Sequence, residues 1–217
     1  MIWALAAVGL AAALAYQGLL GAPKSGLRSA IKTGATVALA LASLVAGGPW
    51  LLVLALALGA AGDFFLSRPG QGAFLRGLVA FALSHLAYIG LFTGLPGWGD
   101  TSDPGWAAYA GLIGLALLAP STARWLLPYT GRLRGPVVAY VLVITAMGAA
   151  ALLLAPAFRL ALLGAAMFLA SDVILSVQIF RLAPGTPVHR NAGRAVWPLY
   201  WGGQALIAYG VIGGLAI

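Results

Sequence analysis

The sequence contains no cysteine and very little charge. Without cysteine, the chain cannot carry a thiol nucleophile, a disulfide framework or a Cys-ligated metal. Charged residues make up 7% of the 217 residues and hydrophobic residues 62%, whereas a soluble domain carries roughly 25% charged residues. The composition therefore indicates an integral membrane protein. A net charge of +8 would suggest nucleic-acid binding in a soluble protein. Here the basic residues lie in short loops between apolar runs. This placement indicates that they set the membrane topology and contact lipid head groups instead.

The sequence also lacks the short motifs of several enzyme classes. No G-x-S-x-G elbow occurs, which disfavours a serine hydrolase. Neither H-x-x-x-H nor H-E-x-x-H occurs, so no metal or other cofactor is predicted, although Asp63, His85 and Asp172 are conceivable ligands. The first apolar run has no basic start and reaches about 20 residues, so we expect a spanning helix there rather than a cleavable signal peptide.

Apolar segments are the dominant feature of the chain. Each is long enough to cross a hydrocarbon core of about 30 Å as a helix. There are eight, at about 2–20, 30–47, 50–67, 75–95, 106–123, 135–154, 157–180 and 195–216. We predict an all-α polytopic membrane protein with eight transmembrane helices in one bundle, forming a single domain over residues 1–217.

The basic residues predict the orientation of that bundle. Of the 12 basic residues, only Arg159 lies outside the loops after segments 1, 3, 5 and 7. The positive-inside rule places those loops in the cytoplasm. Both termini are then expected on the outside of a bacterial-style inner membrane.

Two aspartates interrupt the apolar pattern. Asp63 and Asp172 lie in segments 3 and 7, each in a small-Asp-x-x-Leu-Ser setting, although a carboxylate inside a bilayer costs about 2.5–3.5 kcal/mol or more. An offset of four segments would make the two halves parallel repeats, or each half could face one common cavity. We expect both carboxylates in one polar pocket between helices 3 and 7, in the cytoplasmic half of the membrane. The plainer alternative for Asp63 is a helix-end residue paired with Arg68.

Polar side chains in segments 4 and 8 are further candidates for the site. In segment 4, Tyr88 lies one turn from both Ser84 and His85, and in segment 8 Tyr200 and Gln204 are spaced i, i+4. A mid-span histidine is often a satisfied structural donor, and Tyr200 could equally belong to an interfacial aromatic belt. Gln204 in mid-span is expected to point inward.

Together these motifs resemble the YhhN family of lysoplasmalogenases. The resemblance is carried by Gly62-Asp63, His85-x-x-Tyr88, Ser171-Asp172 and Tyr200-x-x-x-Gln204, spread over almost the whole chain. It implies a membrane hydrolase that cleaves the vinyl ether bond of lysoplasmalogens to a fatty aldehyde and a glycerophospho-alcohol, with a lysophospholipid substrate and membrane lipids as partners. It further implies catalytic roles for Asp63, Asp172 and His85, and substrate binding by Tyr88, Tyr200, Gln204 and Ser171.

The chemistry of that reaction suits these residue types. Vinyl ether hydrolysis needs a proton donor and an anion that stabilises an oxocarbenium ion, as glycoside hydrolysis does. A carboxyl group among apolar side chains can hold its proton near neutral pH, and we expect Asp172, the deeper of the two, to be the acid. Paired intramembrane acids suit a proton-coupled transporter of small solutes or lipids equally well, and that is the alternative function.

Overall fold

In a computed structural model that describes residues 1–100 and 105–216, the chain is a bundle of α-helices. This part of the chain contains eight helices and no strand. Their bounds are α1 Ile2–Gly18, α2 Gly26–Val45, α3 Trp50–Leu66, α4 Gln71–Thr93, α5 Gly105–Trp125, α6 Arg134–Leu152, α7 Arg159–Phe180 and α8 Pro187–Leu215. The predicted all-α bundle of eight helices is confirmed.

The outside of the bundle is apolar, as a lipid-facing surface requires. Four helical stretches in the described ranges are long and apolar enough to cross a membrane, namely Gln71–Thr93, Ala108–Tyr129, Gly131–Leu152 and Pro156–Phe180. Helices α1 and α3 have 17 residues each and cover about 25 Å at 1.5 Å per residue. Large apolar side chains such as Val8, Ile113, Leu117 and Leu142 are more than half exposed on the outer faces. The protein is an integral membrane protein.

Two helices begin earlier than the apolar pattern predicts. Segment 2 was expected from about residue 30, but α2 begins at Gly26, where the Ser25 side chain accepts a hydrogen bond from the Arg28 N–H. Segment 8 was expected from about residue 195, but α8 begins at Pro187, capped by Thr186. Each capping hydroxyl satisfies one of the free N–H groups of the first turn, so both helices extend into their basic ends.

Glycines bring the site-bearing helices into close contact. A Cβ on Gly203 of α8 would lie 2.7 Å from the Gly164 carbonyl oxygen of α7. On α3, a Cβ on Gly62 would lie 2.6 Å from the Phe81 ring of α4. Backbones approach this closely only where side chains are absent, as at small-residue interfaces between membrane helices. These contacts fix α3 against α4 and α7 against α8.

Candidate functional site

One polar centre is built around Asp172 on α7. The Tyr140 hydroxyl of α6 donates to Asp172 Oδ2 at 2.5 Å, and His85 Nε2 of α4 lies 3.4 Å from the same oxygen and 3.0 Å from the Tyr140 hydroxyl. The other oxygen, Oδ1, has only the Ser171 hydroxyl at 3.5 Å, while that hydroxyl also donates to the Phe168 carbonyl at 2.7 Å. Both hydrogen bonds of the centre therefore fall on Oδ2, which leaves Oδ1 open to a further partner.

His85 is held in place by aromatic packing. Its side chain is fully buried, and its ring lies 4.7 Å from the Phe168 ring and 5.5 Å from the Tyr140 ring, centroid to centroid. Nδ1 is buried without a hydrogen-bond partner among the described residues. The imidazole is thus presented to Asp172 and Tyr140 through Nε2 alone. A catalytic role for His85, as opposed to that of a structural donor, stays a prediction.

An apolar cleft leads to Asp172. Its empty volume, including the part open to the surroundings, is about 810 Å³, and it lies between the ends of α3 to α7 that adjoin the basic loops. Asp172 is the only charged residue among the described residues that line it, and 13% of its side chain is exposed. The hydroxyls of Thr122, Thr145 and Ser176 also line it, but they donate to carbonyls of their own helices. An apolar chain bound in this cleft would therefore meet reactive groups at one place, at Asp172 and Tyr140.

The second polar centre, around Asp63 on α3, is closed. Asp63 is fully buried. Lys32 Nζ of α2 lies 3.0 Å from Oδ1, and the hydroxyls of Thr36 on α2 and Tyr200 on α8 each donate to Oδ2 at 2.8 Å. The expected partner Arg68 is instead exposed and stacks over the Phe64 ring at 4.5 Å. Asp63 therefore forms an ion pair, as the alternative predicted, but its partner is Lys32 and not Arg68.

Aromatic rings separate the two centres. Phe81 lines the cleft, and its ring lies 5.5 Å from Tyr200 and 6.4 Å from Phe168. Phe168 in turn lies 5.2 Å from Tyr200. Asp63 does not line the cleft. The prediction that both carboxylates face one shared pocket is therefore wrong, because the two rings fill the space between them.

Tyr88 and Gln204 form a buried pair beside these rings. The Tyr88 hydroxyl donates to Gln204 Oε1 at 3.3 Å, both side chains are fully buried, and Nε2 of Gln204 has no partner among the described residues. Ser84 is likewise buried and donates to the Ala55 carbonyl at 2.7 Å. None of the three lines the cleft. Substrate binding by Tyr88, Tyr200, Gln204 and Ser171 stays a prediction.

Three members of the two centres were missed by the sequence analysis. Lys32 was assigned to a loop, Thr36 was not considered, and Tyr140 was taken as one more residue of an apolar span. The available signal for Tyr140 was a hydroxyl in the half of segment 6 that adjoins a basic loop, near the depth of Asp172. Within residues 1–100 and 105–216, no group of three or more His, Cys, Asp or Glu side chains is arranged to hold a metal ion.

Comparisons with known proteins agree with the motif resemblance. The model of the YhhN family matches residues 27–211. Two curated proteins named lysoplasmalogenase, from Mycobacterium bovis and Mycobacterium tuberculosis, are each 32% identical over 153 residues, which is 69% of this chain and 54% of theirs. The chain thus spans about half the length of these relatives. No solved structure matches it.

Proposed function

Because the chain belongs to the YhhN family, we propose that it is a membrane-embedded hydrolase of the vinyl ether bond in lysoplasmalogen-type lysophospholipids. Its products are a fatty aldehyde and a glycerophospho-alcohol. The observation that carries the proposal is the single carboxyl group, Asp172, at the polar end of an apolar cleft. The names of the two mycobacterial relatives support the same reaction.

Asp172 acts first as a general acid. With Oδ2 engaged by Tyr140 and His85, a proton on Oδ1 is the one directed at a bound ligand. Its transfer to the β-carbon of the vinyl ether breaks the carbon–carbon double bond and leaves an oxocarbenium ion beside the new carboxylate. The carboxylate stabilises that cation, as the acidic groups of glycosidases do.

The same residue then acts as a base. Water adds to the oxocarbenium carbon and gives its proton to the Asp172 carboxylate, which regenerates the acid and forms a hemiacetal. The hemiacetal collapses to aldehyde and alcohol with no net change in protons. One carboxyl group is therefore enough for the whole cycle, and Tyr140 and His85 orient it through their hydrogen bonds.

Asp63 takes a positioning role in this scheme. Its charge is balanced by Lys32, and it is sealed from the cleft. It holds Tyr200, whose ring packs against Phe81 and Phe168, the residues next to the cleft and to His85. The resemblance implies catalytic roles for both Asp63 and Asp172, but in this proposal only Asp172 touches the substrate.

The proposed orientation places the cleft in the inner leaflet of a bacterial inner membrane, with both termini outside. It rests on the basic residues, since Arg159 at the start of α7 is the only one at the opposite end of the helices. The cleft lies between the helix ends that carry the other basic residues. Substrate would then enter laterally from the cytoplasmic leaflet.

Aldehyde release by the purified protein in detergent tests the proposal. The parent protein should release fatty aldehyde from a lysoplasmalogen, and Asp172→Asn should lower kcat by about 10²–10⁴-fold, the usual contribution of a general acid. Asp100→Asn, which changes an exposed loop aspartate, is the matched control and should keep full activity. Full activity in Asp172→Asn would refute the mechanism. Solute flux in proteoliposomes without aldehyde release would support a transporter instead.

A further inference from the structure

A second pocket, strongly basic, lies at the cytoplasmic ends of the first three helices. Its empty volume, including the part open to the surroundings, is about 430 Å³, and it lies between the end of α1, the start of α2 and the end of α3. Its polar lining consists of three cationic and four hydroxyl-bearing residues, Lys24, Arg28, Lys32, Tyr16, Ser25, Ser29 and Ser67. This basic pocket is separate from the centre at Asp172, and of its lining residues only Lys32, the partner of Asp63, has a role in the proposed mechanism.

The charges of the basic pocket are not balanced. Lys24, Arg28 and Lys32 carry three positive charges, and in the described part of the chain only Asp63 pairs with any of them, through Lys32. Two positive charges remain, on Lys24 and Arg28, beside the first turn of α2. Ser25 caps the Arg28 N–H of that turn, and the helix N-terminus also favours an anion. The electrostatics of the pocket therefore favour a negatively charged ligand.

Ser29 indicates that the ligand binds inside the pocket rather than at its rim. Its side chain is 3% exposed, and its hydroxyl has no hydrogen-bond partner among the described residues. A buried polar group without a partner costs about 1–3 kcal/mol. By contrast, the Ser67 hydroxyl already donates to the Asp63 carbonyl at 2.6 Å. A bound oxyanion would accept a hydrogen bond from Ser29 and remove that cost.

Leu66 connects the basic pocket with the apolar cleft. Leu66 lines both cavities, so the apolar cleft and the basic pocket adjoin at this residue of α3. We propose that the basic pocket holds the phosphate group of the lysophospholipid substrate while the chain lies in the cleft. This inference rests on the proposed function, because it assigns a subsite for the same substrate.

Binding of lipids that cannot be hydrolysed tests the subsite apart from activity. A 1-O-alkyl-glycerophosphoethanolamine has the phosphate but no vinyl ether, and the matched 1-O-alkylglycerol lacks the phosphate. We expect Ser29→Ala and Lys24→Gln each to weaken binding of the phospholipid about tenfold, the loss of one hydrogen bond to a charged group. Binding of the alkylglycerol should not change. Arg132→Gln, which removes an exposed charge from the same side, should leave both affinities unchanged.

The melting temperature of each variant serves as the control for correct folding. Ser29→Ala removes an unpartnered hydroxyl, so its melting temperature should equal or exceed that of the parent. Unchanged affinity for the phospholipid, or equal weakening for both lipids, would overturn the subsite. Tight binding of inorganic phosphate alone, or of phosphatidylglycerol nanodiscs that the alkyl lysophospholipid does not displace, would overturn the substrate as the source of the phosphate.

The two proposals fail in different ways. If phosphate-dependent binding is found and no aldehyde is released from a lysoplasmalogen, the proposed function is refuted and the pocket remains a phosphate site. If aldehyde is released with the same kcat/KM in Ser29→Ala and Lys24→Gln as in the parent, the subsite is refuted and the proposed function remains.

Discussion

Removing Lys32 should destabilise the protein more than any other single loss of charge. In Lys32→Met the Asp63 carboxylate keeps the hydroxyls of Thr36 and Tyr200 but stays fully buried without a cation. Breaking a buried pair from one side costs about 3–5 kcal/mol, because the remaining charge is uncompensated. Asp63→Asn should cost less, since the amide oxygen still accepts from both hydroxyls and the Lys32 side chain is 14% exposed.

The free energy of unfolding in mixed detergent–SDS micelles measures these losses. The double variant Lys32→Met with Asp63→Asn should recover most of the loss of Lys32→Met, because no charge then remains buried. Arg68→Met is the matched control, and it should cost about 1 kcal/mol or less, the value of one exposed cation–π contact. If Lys32→Met is as stable as the parent, or the double variant is no better than Lys32→Met alone, the ion-pair reasoning is refuted.

Three further predictions concern the cleft and the helix contacts. Tyr140→Phe removes the hydroxyl that binds Asp172 and should lower kcat for aldehyde release by roughly 10²-fold, whereas Tyr109→Phe, at a half-exposed position, should not. Gly164→Ala should lower the unfolding free energy by about 1–3 kcal/mol through overlap with α8, while Gly114→Ala, with open space around it, should be neutral or stabilising. Val141→Phe narrows the cleft and should raise KM more for long-chain than for short-chain substrates, and equal effects on both would argue against the cleft as the chain site.

The helices and the buried acids were predictable because their signals are local. An apolar run of about 20 residues predicts a membrane-spanning helix by itself. An aspartate within such a run predicts a polar environment around its side chain. Asp63 and Asp172 do so, each with hydroxyl donors. The starts of α2 and α8 were missed because basic residues in their first turns resemble loop residues, although Ser25 and Thr186 are ordinary N-cap residues.

The partners of the acids were not predictable, because they depend on how distant helices face one another. Tyr140 and His85 are 32 and 87 positions from Asp172, and no spacing rule reaches that far. Lys32 was placed by the positive-inside rule, which reports the side of the membrane and not the direction of a side chain. The shared pocket failed for the same reason, since Phe81 and Phe168 come from helices whose rotation the sequence does not state.

Each carboxylate contacts a side chain on a helix from the other half of the chain. Asp63 on α3 is completed by α2 and by α8, and Asp172 on α7 is completed by α6 and by α4. The exchange is reciprocal, and an internal repeat of the two halves stays a prediction. A fragment that ends at α4 would keep the contacts of Asp63 with Lys32 and Thr36 but would lack the hydrogen bond from Tyr200. During synthesis, Asp63 cannot accept the hydrogen bond from Tyr200 until α8 has been made.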